Sequence, residues 1–203
     1  MFEIIYLITT GFTIIGKGPM AGFSSGLYGI MPPKAYSSFL NNLMNDHSII
    51  ISPKLKPTLK NELETYCEQM KISEFIFISH SSFDHTILDS KFCKKAFLLD
   101  PVSLPRFFFK NRKVTTTIPT TVIKSEFSYK NNRTNPFILP GFSTNIQGDI
   151  KTYELVAGHI DILDDFWANL GRRFRIYSMY DNNKKLKRSE FRAYVSNIIK
   201  NIY

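Results

Sequence analysis

At 203 residues and 43% hydrophobic, the chain can bury a sizeable core, and a single domain over residues 1–203 is expected. The formal net charge of +9 would suit a polyanionic partner. Much of that excess lies in Arg172-Arg173-x-Arg175 and Lys184-Lys185-x-Lys187-Arg188 near the C-terminus, which reads as a solvated basic face, so no nucleic acid is expected.

No apolar run reaches the length needed to cross a bilayer, and Glu3 stands where a secretory leader would be basic. The expectation is a cytoplasmic protein without signal peptide or transmembrane segment. Cys67 and Cys93 have no metal-ligand spacing and are too few for a disulfide framework, so both are read as buried thiols.

In chain order, Phe2 to Thr10 is an apolar, β-rich run and the first expected strand. Residues 11–29, with glycines at 11, 16, 18, 22, 26 and 29, read as a long loop that could act as a lid. Its opening, Gly11-Phe12-Thr13-Ile14-Ile15-Gly16-Lys17-Gly18, is one residue short of a phosphate-binding loop, which needs Ser or Thr after the lysine. Pro19 also argues against a helix directly after Lys17, so no nucleotide cofactor is expected. Tyr36 to Asn45 carries a helical stripe of Tyr36, Phe39, Leu40, Leu43 and Met44; Ser48 to Ser52 reads as a buried strand. A helix is expected from about Thr58 to Met70, with Leu59, Leu63, Tyr66 and Met70 facing inward.

Phe75 to Ser79 is a compact aromatic and β-branched run, the mark of a fully buried strand. It stops at Ser79-His80-Ser81-Ser82-Phe83, and a helix-like pattern with Phe83, Ile87 and Leu88 follows. Strand, tight turn with serine, then helix is the geometry that lifts a nucleophile out of a sheet. Further strands are expected at Lys95 to Leu99, Thr120 to Ser125 and Tyr153 to Ala157. Helices are expected at Asp164 to Leu170 and at Glu190 to Ile202, the second capped by Ser189, with Phe191, Tyr194, Val195, Ile198, Ile199 and Ile202 inward.

Strands alternating with helices, mostly without strict polar alternation, point to a largely parallel sheet covered on both faces. Ligands bind beyond the carboxyl ends of such strands. There the chain offers Ser81, Asp100 and His159, the residue types of acyl transfer: nucleophile, orienting acid and general base. The oxyanion hole would be formed by the N–H groups of Ser82 and Phe12. Plainer roles stand beside these: Ser81 as a turn residue capping a helix, Asp100 before Pro101 as an ordinary strand exit, His159 as a loop histidine. His80 and His85 flank the elbow and are read as local hydrogen-bonding or packing residues.

These segments resemble the α/β-hydrolases, and within them the chlorophyllase-like esterases. Ser79-His80-Ser81-Ser82-Phe83 is similar to that family's G-H-S-x-G-G, and Asp100-Pro101-Val102 to its D-P-V. Gly158-His159-Ile160-Asp161-Ile162-Leu163-Asp164-Asp165 keeps every fixed position of its G-H-x-D-x-L-D-D, and Pro140 to Asn145 corresponds more weakly. The resemblance implies an α/β-hydrolase-like fold lacking the one or two strands that usually come first. It also implies a serine hydrolase acting on a small or lipid-like ester, with Asp100 as the acid or Glu126 as its substitute. Phe83 stands where the family has its second glycine. It motivates a second expectation, a hydrolase-fold protein impaired in catalysis that serves as a binding or interaction module. Apolar residues such as Phe107, Phe108 and Phe109 could line the pocket or touch a membrane surface.

Overall fold

The computed structural model describes residues 5–6, 13–15, 20–24, 31–44, 48–51, 59–81, 85–103, 113–125, 142–143, 145–173 and 187–202. Its strands are β1 (Ile5–Tyr6), β2 (Thr13–Ile15), β3 (Met20–Ser24), β4 (Ser48–Ile51), β5 (Phe75–His80), β6 (Cys93–Leu99), β7 (Val102–Ser103), β8 (Lys113–Ser125), β9 (Phe142–Ser143) and β10 (Asn145–Leu155). The α-helices are α1 (Ser37–Met44), α2 (Leu59–Gln69), α3 (Asp165–Arg173) and α4 (Arg188–Ile202). Short 3-10 helices cover Pro33–Tyr36 and His85–Asp89.

Eight strands form one sheet in the order β1-β2-β4-β3-β5-β6-β8-β10. From β4 through β10 every pairing is parallel, while β1 with β2 and β2 with β4 run antiparallel. The mostly parallel sheet is as expected; the missing leading strands are not. Two short strands, β1 and β2, precede β3. Moreover β3 lies inside the stretch read as a glycine-rich loop. Met-Ala-Gly-Phe-Ser has little intrinsic strand preference, and its place between β4 and β5 supplies what propensity does not.

The period of two along the central strands sorts side chains to the two faces. Ile76 and Ile78 of β5 and Phe97 and Leu99 of β6 join Tyr36, Phe39 and Leu43 near α1 and Val195 and Ile199 of α4 in one cluster. Phe75 and Phe77, with Ala96 and Leu98, join Leu63, Tyr66 and Cys67 of α2 and Ile87 and Leu88 in the other. Helices therefore cover both faces, and β5, buried at all six positions, runs through the middle. Burial raises the Cys67 thiol to about 11 and the Cys93 thiol to about 12, in keeping with two inert buried sulfurs.

Several element details differ from the sequence reading. Met70 and Tyr194 are exposed, since each falls past the end or off the edge of its helix's apolar stripe. The last helix begins at Arg188, and Glu190 caps it by accepting the Lys187 N–H at 3.2 Å; Ser189 is not the cap. β8 and β10 extend well before the short strands expected, and they pair along most of their lengths. Their register shifts between Gly148 and Ile150, opposite the segment of β8 that holds Pro119, where a residue without an N–H can be accommodated. No described helix is long and apolar enough to cross a membrane.

Candidate active site

Four parallel strands end side by side: β5 just before Ser81, β6 just before Asp100, β8 at Ser125, and β10 shortly before His159. The backbone ties them together. The Ser81 N–H donates to the Leu99 carbonyl at 2.9 Å, and the Asp100 N–H donates to the Ile123 carbonyl at 2.6 Å. Ser81 has φ +65° and Asp100 φ +45°, both in the left-handed region that costs a non-glycine residue about 1 kcal/mol. Strain of this kind persists only where the surroundings impose it, and it clusters at functional sites. At Ser81 it marks a sharp turn out of the sheet, although the helical segment that follows is 3-10 over His85–Asp89 rather than α.

Asp100 and His159 are both buried. His159 donates its Nδ1–H to Asp100 Oδ2 at 2.5 Å, and the other carboxylate oxygen accepts the Ser125 N–H at 3.2 Å. Because a carboxylate only accepts, the Nδ1 proton is fixed and Nε2 is left as the basic nitrogen. Two of the three candidate residues thus form a buried acid–imidazole pair. The third, Ser81, is buried too, at the end of the strand next to that of Asp100.

The loop carrying His159 is held at several points. Asp161 accepts the Gly158 N–H at 2.6 Å and donates its own N–H to the Gly158 carbonyl at 3.0 Å. Arg188, at the start of α4, reaches the other oxygen of Asp161 through Nε at 3.3 Å. Asp164 accepts the Ser38 N–H at 3.0 Å, and its own N–H donates to the Ala35 carbonyl at 2.8 Å. The acids that follow His159 therefore brace the loop. An Asp three residues after Gly158 is a recognisable turn signal, but the Arg188 and Ser38 contacts lie too far along the chain to be read from spacing.

His80 also belongs to this site. Its Nε2 lies 2.8 Å from the His159 carbonyl, so that nitrogen carries the proton, and Nδ1 accepts from the Tyr36 hydroxyl at 2.8 Å. Its ring centroid is 4.7 Å from that of His159. Burial first, and then the neighbouring His159, lower the His80 pKa to about 3, so the ring is neutral across the physiological range. His80 hydrogen-bonds, but not locally as expected: its partners come from distant segments. The sequence places Tyr36 in a core stripe and does not show its contact with His80.

Phe12, Ser82, Phe83, Glu126 and Phe107–Phe109 lie outside the described residues, as does most of the 11–29 segment apart from β2 and β3. An oxyanion donor at Phe12 needs the strand before it to border the nucleophile strand. In the sheet that neighbour is β3, with Ser24 paired to Ser79, and β4 and β3 stand between β2 and β5. The small sheet of β7 and β9 joins the segment after Asp100 to the 140–145 stretch. Among the described residues no three His, Cys, Asp or Glu side chains gather to hold a metal ion.

No protein-family model matches the chain, and no curated protein matches it. Solved structures do. A mutant of a Pseudomonas aeruginosa protein assigned as an epoxide hydrolase, with 13% identity, matches over 86% of this chain and 95% of its own at a TM-score of 0.50. The thioesterase domain from the curacin biosynthetic pathway, with 12% identity, matches over 84% and 99% at a TM-score of 0.50. An α/β-hydrolase enzyme from the metagenome of Mar Chica lagoon sediments in Morocco has 13% identity, coverage of 86% and 98%, and a TM-score of 0.49. At such identities the first two likenesses concern the fold alone, and with the sheet order and parallel core they give an α/β-hydrolase-like fold.

Proposed function

We propose that this protein is a serine hydrolase that cleaves carboxylic esters, with Ser81 as nucleophile, His159 as general base and Asp100 as its orienting acid. The observation that carries the reading is the buried Asp100–His159 hydrogen bond beside the left-handed turn at Ser81. The strand-end location, the α/β-hydrolase fold and the resemblance to chlorophyllase-like esterases support it.

Ser81 Oγ attacks the ester carbonyl while His159 Nε2 takes its proton, and Asp100 stabilises the imidazolium that forms. The same proton then goes to the departing alkoxide, leaving an acyl group on Ser81. Water, deprotonated by His159, attacks that acyl carbon and releases the acid and the free serine. The oxyanion would be met by the Ser82 N–H and by a second N–H, for which Phe12 is the residue expected from the sequence. Asp100, which already contacts His159, is preferred to Glu126 as the acid. The reading needs no cofactor, and its substrate is a small or lipid-like ester.

The test is labelling with a fluorophosphonate probe, together with hydrolysis of p-nitrophenyl esters of increasing acyl length. Wild type should label and turn over; Ser81→Ala should do neither. A folded wild type that neither labels nor hydrolyses any ester in the panel would point instead to the binding-module reading that Phe83 motivates.

A further inference from the structure

The residue before the nucleophile carries a role beyond local packing. His80 closes strand β5, and the period of two turns its ring to the face of Ile76 and Ile78, toward Tyr36. There the imidazole spans two segments that the chain keeps far apart. Its Nε2–H holds the carbonyl of His159, and its Nδ1 is held by the Tyr36 hydroxyl at the end of the 3-10 turn leading into α1. The two histidine rings lie 4.7 Å apart at 34°, so any displacement of one is felt by the other.

The contact with His159 does not tolerate the alternative tautomer. With the proton on Nδ1, His80 Nε2 would turn a lone pair toward the lone pairs of the His159 carbonyl, whereas the Tyr36 hydroxyl could turn to accept. A hydroxyl can adapt its hydrogen; a carbonyl cannot. All of these groups are buried, so water is poorly placed to replace a lost partner, and a mismatch would be relieved by movement of the loop that carries His159.

We propose that His80, set in one tautomer by the carbonyl of His159 and held at its other nitrogen by Tyr36, is a positioning residue that fixes the general base His159 relative to the nucleophile strand. This rests on the serine hydrolase reading of Ser81, His159 and Asp100. His80 need not exchange a proton with substrate. It ties the main chain of the base to the residue adjoining the nucleophile, so that the Ser81-to-His159 spacing is set by a short side-chain bridge as well as by the sheet.

The experiment compares wild type with His80→Leu, His80→Gln and Tyr36→Phe. Each is assayed for kcat and KM on a p-nitrophenyl ester and for the low-field proton signal of the His159–Asp100 hydrogen bond by NMR. Melting curves establish that each variant is folded. His80→Leu keeps the bulk but neither hydrogen bond, and it should lose roughly 10- to 100-fold in kcat, the scale of a misplaced catalytic group, with KM changed about twofold or less. Its low-field signal should shift or broaden. His80→Gln, which restores a donor at the level of Nε2, should recover most of both. Tyr36→Phe should show the same pattern to a smaller extent.

A folded His80→Leu with wild-type kcat and an unchanged low-field signal would overturn the proposal. So would a loss in His80→Leu that His80→Gln does not recover. If His80→Leu does not fold, Tyr36→Phe decides by the same two readouts. A wild type without esterase activity would defeat the hydrolase reading, while the low-field signal in the variants would still decide whether His80 positions His159.

Discussion

An imidazole acts as a base only through a nitrogen that lacks its proton, and at His159 the choice of nitrogen rests with Asp100. Asp100→Asn would put an amide where the carboxylate now accepts from Nδ1, favouring the tautomer with its proton on Nε2, toward the nucleophile. The expected outcome is a fall in kcat of about 10⁴-fold, as the same change produces in a serine protease triad, with the fold retained; p-nitrophenyl acetate turnover and a melting curve check it. A contrasting case lies two residues before Ser81. The Ser79 hydroxyl is buried and has no hydrogen-bond partner among the described residues. Ser79→Ala should therefore stabilise the protein by about 1 kcal/mol, read as a higher urea midpoint at unchanged m-value.

At the scale of elements, two glycines of the sheet behave oppositely. Gly148 has φ +134°, and a Cβ there would stand 2.2 Å from the Thr116 carbonyl oxygen, at the register shift between β8 and β10. Neither conformation nor space admits a side chain. Gly148→Ala should cost at least about 2 kcal/mol and, because β10 leads to His159, should lower activity as well. In β3, a Cβ on Gly22 would rest 3.6 Å from the Phe75 ring, ordinary contact. Gly22→Ala should gain about 0.5 kcal/mol from the smaller entropy of the unfolded chain. Chemical denaturation of the two variants beside wild type reads both signs.

For the whole molecule, the buried histidine links stability to pH. In the unfolded chain His80 takes up a proton near pH 6.5; in the folded protein burial and His159 delay this to about pH 3. Between those values the unfolded state holds more protons. The contribution is thus fully present above about pH 6.5 and is lost as pH falls toward 3. His80→Gln keeps a donor toward the His159 carbonyl and removes the titrating group at position 80. His80→Gln should therefore lose less unfolding free energy than wild type between pH 7.5 and pH 4.5, measured by urea denaturation at both values. An equal loss in the two proteins would assign the acid sensitivity to other groups.

The chain determines locally whatever depends on short spacing. The run Phe75 to Ile78 declares a buried strand because nothing in it suits water, and Gly158 with Asp161 declares a turn because the carboxylate reaches back to a nearby N–H. Residue types at strand exits likewise mark Ser81, Asp100 and His159 as candidates. Tertiary structure decided the rest. It made a strand of Met20–Ser24, which has weak preference of its own, by placing it between two neighbours. It also made Tyr36, a core residue, the partner of His80, and bound Arg188 to Asp161 across 27 positions. Propensity and periodicity act over a few residues, whereas sheet order and buried hydrogen bonds exist only once the chain has closed on itself.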